Sequence, residues 1–345
     1  MDKNVTGTGL HWAVAAPYFQ TTNDQWLSSF VPGDHHRFTT IPRYGQLQNW
    51  HRRKRRATGA DQWFKYIRQG HRALDSTYGG VVTVLPQLAA TVAAQKRLTR
   101  RQVPLLSWFF NTELERRHRV IQARLTLQVV DKFIVHSTRE IGLYSQLLAL
   151  PADRFAFVPL QYGGPVATDE IDEEDPFVFT TGSGYRDYAT FFIAMEKLGY
   201  RTLVLAGPRA LAGLTPPASV TILDQIPKGE IHRLVRRARV NVVPMTTSGA
   251  NAGLITMVEA YRHGRALVST MRAGVEDYVL PGVNALVHEP GDPDGLAQGI
   301  EAMWTDATLR DNLNEGARLF GETWCTDEAA GRALGFHLDS LAAQY

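Results

Sequence analysis

The stretch GANAGLITMVEAYRHGRALVST, residues 249–270, decides the fold because it holds a loop, a helix and a strand in succession. Apolar residues at helical spacing predict a helix over residues 254–263, and Gly264 is a residue of the kind that ends one. The apolar run at residues 265–270 then predicts a strand. The first turn of this helix has almost no polar side chains, and Glu259 is a lone carboxylate in its apolar middle. Its bare start and its single acid are the first candidate for a functional site.

The rest of the second half alternates between short apolar strands and helices. The predicted strands are FVFTT, TLVLA, VTIL, VNVVP, RALVST and NALVHEP, beginning at residues 177, 202, 220, 240, 265 and 284. One predicted helix follows GSGYRDY and ends at about residue 198, and a second covers KGEIHRLVRRA. Two more helices, at about residues 294–304 and 308–320, come last in this half. Such alternation indicates a parallel sheet covered on both faces. We therefore predict a doubly wound α/β domain, whose ligands bind at the carboxyl ends of the strands.

The first half shows the same alternation with less regularity. Its predicted strands are HWAVAAP, HHRFTTIP, GVVTVLP, PLLSWFF, KFIVHS and FAFVPL, beginning at residues 11, 35, 80, 104, 132 and 155. A helix is predicted over about residues 138–148, and the basic, aromatic-containing segment 50–74 is also predicted to be helical. The predicted architecture is two Rossmann-like domains facing across a cleft, residues 1–165 and 166–325, with a last helix in 326–345 that crosses back to the first domain.

The charge is distributed unevenly between these halves. Residues 1–165 contain 22 Lys and Arg against 10 Asp and Glu, a net charge of +12, and the remainder has a net charge of −9. The change falls at GGPVATDEIDEEDP, residues 163–176, a segment rich in Gly, Pro and acid that predicts a linker. A basic half suggests an anionic partner such as a phospholipid surface, a lipid diphosphate or nucleic acid, and the alternative is an ordinary solvated surface.

Composition excludes several other classes of protein. No apolar run approaches the roughly 20 residues of a membrane helix, and the N-terminus lacks the pattern of a signal peptide. Cys325 is the only cysteine, so an intrachain disulfide is impossible and a cysteine-based metal site is not expected. We expect a soluble, cytoplasmic protein.

The bare start of the helix at residues 254–263 favours an anion. A helix leaves its first N–H groups unpaired and carries a partial positive charge there, so a start without bulky side chains lets an anion reach the amides. A diphosphate fits this start, and Glu259, about one and a half turns further, can accept hydrogen bonds from the ribose of the same nucleotide. Two alternatives stay open. Glu259 can form a helix salt bridge with Arg262 or His263, and Gly253 can simply permit close packing.

Residues 177–325 resemble the donor-binding half of family 4 glycosyltransferases, which have the GT-B fold. The matching pieces are the glycine-started helix with its Glu, a Gly-x-Glu-Asp turn, a Gly-x-Asn-Ala-Leu-Val strand and Pro-Gly-Asp. The resemblance implies that Glu259 binds the donor ribose and that Arg186 reaches a phosphate. It implies a nucleotide diphosphate sugar as donor substrate, no cofactor, and a donor site made of Gly182, Ser183, Gly184, Gln225, Ile226, Asn251, Ala252, Gly253, Leu254, Ile255, Thr256 and Glu259.

The sequence also departs from this family. The family commonly has a second Glu eight residues before the ribose-binding one, and here Asn251 occupies that position. It tends to carry a basic pair after the first strand of this domain, whereas GSGYRDY offers Arg186 alone, for which a surface position or a pair with Asp187 is the alternative. The resemblance implies retention of anomeric configuration, although a neutral Asn251 weakens any role that needs a charge there. The nucleotide base would lie near residues 224–226, which leave its identity open.

In the first half, the candidates for catalysis follow predicted strands. Asn23 or Asp24 would cap a helix or contact the acceptor, and Asp24 could act as a base. Asn111 ends a strand at a position where many relatives have a histidine, Glu113 is a second candidate, and His136 favours a structural role.

A second similarity concerns NDQWLSSF…HHRFTTIPRYGQLQNWHRRKRR, which resembles the N-terminal segment of queuosine-tRNA mannosyltransferase-like proteins in under about 60 residues. It keeps tRNA among the acceptors. The run Trp50-His51-Arg52-Arg53-Lys54-Arg55-Arg56 would bind phosphates of RNA or of a membrane equally well, or form a solvated helix face.

We therefore predict a GT-B glycosyltransferase that acts without a metal and transfers sugar to an acceptor held by the basic domain. A lipid-linked or surface polysaccharide intermediate at the membrane face is the expected acceptor. The alternatives are a tRNA-directed or small-molecule glycosyltransferase, a sugar-nucleotide epimerase, and a non-catalytic α/β binding protein.

Overall fold

In the computed structural model of the 345-residue chain, the structure describes residues 9–45, 58–112, 117–247 and 252–345. Contacts divide the chain into two compact units, Met1–Val158 with Ala330–Tyr345 and Pro159–Ala329. Each unit contains one six-stranded parallel sheet. The predicted α/β class with two parallel sheets is confirmed.

The sheet of the first unit has the strand order β2-β1-β3-β4-β5-β6. Its strands are β1 His11–Ala15, β2 Arg37–Ile41, β3 Gly80–Val84, β4 Leu105–Trp108, β5 Lys132–Val135 and β6 Phe155–Phe157. The connecting helices are α1 Ala60–Ala73, α2 Pro86–Thr99, α3 Arg117–Leu127 and α4 Thr138–Leu148. Strands β3 and β4 are buried throughout, as expected for a parallel sheet covered on both faces.

The sheet of the second unit has the strand order β12-β11-β10-β7-β8-β9. Its strands are β7 Val178–Thr181, β8 Thr202–Leu205, β9 Val220–Leu223, β10 Val240–Val243, β11 Leu267–Thr270 and β12 Ala285–His288. Its helices are α5 Tyr188–Leu198, α6 Lys228–Arg237, α7 Leu254–Arg262, α8 Pro293–Thr305 and α9 Ala307–Trp324. The order reverses around the central strands β10 and β7, and ligands of doubly wound sheets bind at such a reversal.

The last helix, α10, covers Asp327–Ala342 and contributes to the core of the first unit. Its residues Ala330, Leu334, Leu338 and Leu341 pack in one buried cluster with residues of β1, β3 and β4, among them Trp12. In the described part of the chain, no helix combines the length and the apolar character that crossing a membrane requires.

The acidic segment at residues 163–176 lies in the second unit, where its carboxylates pair with arginines. Asp169 lies 3.2 Å from Nε of Arg233, and Asp175 lies 3.3 Å from Nη2 of Arg201. Asp172 pairs with Arg237 as well. These pairs attach the segment to α6 and to the start of β8. That the two units fold separately stays a prediction.

Candidate functional site

Helix α7 begins at a glycine that leaves its first amides uncovered. Gly253 is the N-cap residue, has a φ of +90°, and offers no side chain to cap the helix. A Cβ built on Gly253 would lie 3.1 Å from Sδ of Met245 and 3.5 Å from Nη1 of Arg186. Any larger residue would therefore fill the space in front of the amides. In this first turn Leu254 is buried and Ile255 is 64% exposed.

Arg186, which follows β7, has its guanidinium beside the start of α7. Its Nη2 donates to Oγ1 of Thr256 at 2.8 Å, and its Nε donates to the carbonyl of Thr181 at 3.0 Å. Burial, together with the charge of Arg272, lowers the pKa of Arg186 from its usual value. A cation that is both desolvated and repelled by a second cation favours an anionic ligand.

Arg272 is the second cation of this site, and it is not among the site residues predicted from the sequence. It follows β11, is 7% exposed, and donates from Nη2 to the carbonyl of Ala252 at 2.9 Å. The sequence signal was available, since MRAGVEDY comes directly after a predicted strand and so lies at the same sheet edge as GSGYRDY. The basic pair that the family places after one strand is here supplied by residues after two strands.

The glycine-rich loop after β7 is shaped around Arg186. Gly182 has a φ of +110°, and a Cβ at this position would lie 2.5 Å from Nη2 of Arg186. Ser183 accepts from the backbone N–H of Gly207 at 2.7 Å, which joins this loop to the end of β8. Gly184 supplies a carbonyl to Nη1 of Arg186 at 3.2 Å. The loop thus positions the arginine with its backbone.

The loop between β9 and α6 contains the two residues predicted to face a nucleotide base. Gln225 is exposed and has a φ of +44°, which is uncommon for a residue with a side chain, and Ile226 is half-buried. Both lie past the carboxyl end of β9, at the sheet edge that carries Arg186 and Arg272. Asn251 lies outside the described residues.

The Glu259 carboxylate has a partner that the sequence analysis did not consider. Its Oε1 lies 2.8 Å from Nε2 of His232 on α6, and the two side chains are 12% and 6% exposed. The ring of His263 instead bonds the backbone carbonyl of Glu259, at 2.7 Å. Burial raises the pKa of Glu259, and the positive charge of Lys228 opposes this rise. In place of the helix salt bridge with Arg262 or His263, which the sequence left open as an alternative, the carboxylate makes a contact between two helices.

The candidates in the first unit have structural contacts. Asp24 accepts from Oγ1 of Thr21 at 2.7 Å and from the backbone N–H of Gln20, and these bonds hold its pKa below the usual value. A carboxylate with a lowered pKa is a weak base. It caps no α-helix, because the next element is a single 3₁₀ turn at Leu27–Phe30.

Asn111 is exposed and follows β4, while Glu113 and the basic run at residues 50–56 lie outside the described residues. His136 is buried, its Nδ1 lies 2.7 Å from the carbonyl of Val158, and burial lowers its pKa to about 4. A neutral, buried ring agrees with the structural role that the sequence favours for it. The roles of Asp24 and Asn111 in catalysis stay predictions.

Three side chains of the first unit, His35, His36 and Asp339, lie close enough together to suggest a metal site. The chemistry of His36 does not fit one. Its Nδ1 accepts from the backbone N–H of Leu10 at 3.1 Å and from Nε1 of Trp12 at 3.3 Å. A neutral imidazole that accepts at Nδ1 carries its proton on Nε2, which then has no lone pair for a metal. The cluster therefore attaches α10 to the loop before β2.

The comparisons with known proteins fit this geometry. Residues 185–306 match the family model of group 1 glycosyl transferases, whereas no curated protein matches the chain by sequence. The match does not reach the segment that resembles queuosine-tRNA mannosyltransferase-like proteins, and that similarity stays a prediction.

Three solved structures share the fold at low sequence identity. A sucrose-phosphate synthase from Thermosynechococcus elongatus is 16% identical, with a TM-score of 0.71 over 97% of this chain and 100% of that one. HepE from Anabaena, in complex with UDP and glucose, is 14% identical, with a TM-score of 0.66 over 96% and 100%. The lipopolysaccharide outer core galactosyltransferase WaaB is 10% identical, with a TM-score of 0.61 over 96% and 99%.

The two parallel sheets match the GT-B architecture of these structures, and the family match covers Arg186, the start of α7 and Glu259. The chain therefore has the GT-B fold of these structures, and its residues 185–306 are similar to group 1 glycosyl transferases.

Proposed function

We propose that the enzyme transfers a hexosyl group, with retention of configuration, from a uridine diphosphate sugar to a lipid-linked or surface glycan intermediate. The observation that supports this most directly is the start of α7, where Gly253 leaves the helix amides open and Arg186 and Arg272 lie beside them. A diphosphate matches both the positive end of the helix and the two cations, of which Arg186 is half-buried and Arg272 is buried.

In this proposal the start of α7 acts on the leaving group. As the bond between the sugar and the diphosphate breaks, negative charge develops on the diphosphate. Amides of the first turn, the Arg186 guanidinium and the Thr256 hydroxyl are already oriented before that charge appears, so they stabilise it without reorganisation. Glu259 would accept from the ribose hydroxyls, and the loop with Gln225 and Ile226 would contact the base.

The donor assignment is supported by a relative. HepE was solved with UDP and glucose and with UDP-glucose, so a site of this fold accommodates that nucleotide. In the present chain the resemblance assigns the corresponding positions to the start of α7 and to Glu259. A uridine diphosphate hexose is therefore the first donor to test, with guanosine diphosphate sugars as the comparison.

The acceptor assignment is supported by the charge of the first unit. Helix α1 exposes Phe64 and Ile67, which are 54% and 47% exposed, and carries Lys65, Arg68 and Arg72. Apolar and basic side chains together suit an anionic lipid surface. WaaB acts on lipopolysaccharide outer core, so an acceptor of that kind occurs on this fold.

The test measures UDP binding by calorimetry and the release of UDP from a panel of UDP-hexoses and GDP-hexoses. Gly253→Val places a branched side chain over the amides and should abolish detectable UDP binding. Gly199→Val is the matched control, because Gly199 also has a positive φ, +65°, yet has nothing within 4 Å of its built Cβ. Equal UDP affinity in both variants would reject the diphosphate site.

The acceptor is tested separately, with purified enzyme, a radiolabelled donor, and either a membrane lipid extract or total tRNA. Label that enters the organic phase supports the glycolipid acceptor. Label that enters the tRNA fraction instead would overturn it and favour a tRNA-directed enzyme.

A further inference from the structure

Within the described part of the chain, His232 is the side chain that contacts the Glu259 carboxylate. Its Oε1 is occupied by His232, whereas the carboxylate as a whole has capacity for several hydrogen bonds. Because a carboxylate only accepts, the Nε2 of His232 must carry the proton that joins them. Burial and the charge of Lys228 lower the pKa of His232, which favours the neutral ring, so His232 gives Glu259 a hydrogen bond and no countercharge.

Tyr162 provides the next link. Its hydroxyl lies 3.1 Å from Nδ1 and 2.8 Å from Nε2 of His232, and its own backbone N–H donates to the carbonyl of Cys325 at 2.9 Å. Since Nε2 donates to the carboxylate, Nδ1 is the acceptor for the hydroxyl. Burial raises the pKa of Tyr162 to about 12, so the hydroxyl keeps the proton that it donates.

The surroundings restrict the imidazole further. The ring of His263 lies with its centroid 5.2 Å from that of His232 and 5.9 Å from that of Tyr162. Lys228 Nζ lies 5.5 Å from the centroid of the Tyr162 ring. His232 therefore has packing on its sides and a hydrogen bond at each end, which fixes its orientation and that of the carboxylate beyond it.

We infer that Tyr162 and His232 are positioning residues that orient the Glu259 carboxylate toward the ribose hydroxyls and so make the site selective for ribonucleotides over 2′-deoxyribonucleotides. This inference rests on the proposed function, since it assumes a nucleotide at the start of α7. The relay uses residues of three separate elements: the segment after Leu160, helix α6 and helix α7. Their arrangement distinguishes a held carboxylate from a plain helix salt bridge.

The selectivity follows from the geometry. An unheld Glu259 can rotate between side-chain conformers, and an isolated carboxylate loses that freedom when it binds. A carboxylate already fixed by His232 loses less, so each bond to a ribose hydroxyl contributes more to binding. A nucleotide without the 2′-hydroxyl offers only its 3′-hydroxyl to this carboxylate, so it gains less from the relay.

The experiment titrates UDP and 2′-deoxy-UDP calorimetrically into the wild-type chain and three variants. We expect the wild type to prefer UDP by about tenfold, the value of one charge-assisted hydrogen bond. His232→Leu should lose most of that preference, because its affinity for UDP falls more than its affinity for 2′-deoxy-UDP. His232→Gln keeps an N–H donor and should retain most of the preference. The matched control is Asn241→Leu, which removes a buried side chain that bonds α6 at the Val235 carbonyl.

Unfolding curves of the same proteins measure their stability. The ratio of the affinities for UDP and 2′-deoxy-UDP measures how well the Glu259 carboxylate is positioned. A preference for UDP that survives in His232→Leu would overturn the relay and leave the nucleotide site intact. Equal affinities of the wild type for the two nucleotides would also overturn it. A wild-type chain that binds neither nucleotide would instead reject the proposed function.

Discussion

Helices α4 and α7 both follow a strand of a parallel sheet and both contain a glutamate, in the first turn of α4 and in the middle of α7, yet they begin in opposite ways. At α4, Ser137 and Glu140 form a capping box, and the Glu140 carboxylate accepts from the backbone N–H groups of His136 and Ser137 at 3.0 and 3.1 Å. At α7, Gly253 provides no side-chain cap, and Glu259 bonds a histidine of another helix.

The difference teaches how to separate a structural glutamate from a functional one on the same fold. A helix start whose N–H groups are filled by its own side chains has nothing left for a ligand. A helix start without a side-chain cap, beside one half-buried and one buried arginine, is unfavourable on its own and favourable with an anion. Both helices contain a glutamate, and what distinguishes them is whether their own side chains bond the first backbone N–H groups of the helix.

The largest effect that would sharpen this contrast is expected from Arg186→Met. The cation contacts the leaving diphosphate in our proposal, and removal of one such preorganised group costs on the order of 10²–10³ in kcat. The measurement is steady-state release of UDP from UDP-hexose. Arg310→Met is the control, because Arg310 is a buried arginine that donates to the carbonyl of Met303. An equal loss of kcat in both variants would mean that Arg186 is structural.

A smaller effect is expected from Glu259→Gln. The amide keeps the size of the side chain but is a weaker acceptor, and the UDP affinity should fall about tenfold. Because burial raises the pKa of Glu259, the wild-type affinity should be lost as the pH falls through that raised value, since the ionised form is the one that binds. The variant has no such titration there. The measurement is calorimetry of UDP binding at several pH values, with Glu140→Gln as the comparison. Identical pH profiles of UDP affinity for the wild type and Glu259→Gln would contradict this prediction.

The smallest effect is expected at the closed helix start. Ser137→Ala removes the cap of α4 and should lower the free energy of unfolding by about 1 kcal/mol, while kcat/KM stays unchanged. Urea unfolding and the donor assay measure the two quantities. A loss of activity without a loss of stability would show that α4 belongs to the site and would break the contrast with α7.

Most of the fold was predictable because the information is local. The strands are short apolar runs between turn residues, and the helix predicted at residues 138–148 is observed at Thr138–Leu148. The open start at Gly253 was also predictable, since the absence of polar side chains in a helix start is visible along the chain.

The partners in the site were not predictable in the same way. His232 is 27 residues from Glu259, and Arg272 is 86 residues from Arg186, so only the packing of α6 on α7 and the order of β11 and β7 in the sheet bring these elements together. Spacing along one helix predicts Arg262 and His263 as partners of Glu259 and gives no information on contacts between helices. The bonds of Asp24 to its own turn were equally invisible in the sequence, and its role in catalysis stays a prediction.

The C-terminal helix has a consequence for biosynthesis. Ala330, Leu334 and Leu338 belong to the core around Trp12, so this core joins residues more than 300 positions apart in the chain. A ribosome adds on the order of 5–20 residues per second, and the second unit is synthesised before the last core residues of the first. The core of the first unit is therefore completed at least several seconds after the rest of that unit has been synthesised. During that interval the apolar surface that α10 covers in the finished protein is exposed. A chaperone that binds apolar surface can bind the first unit at this stage.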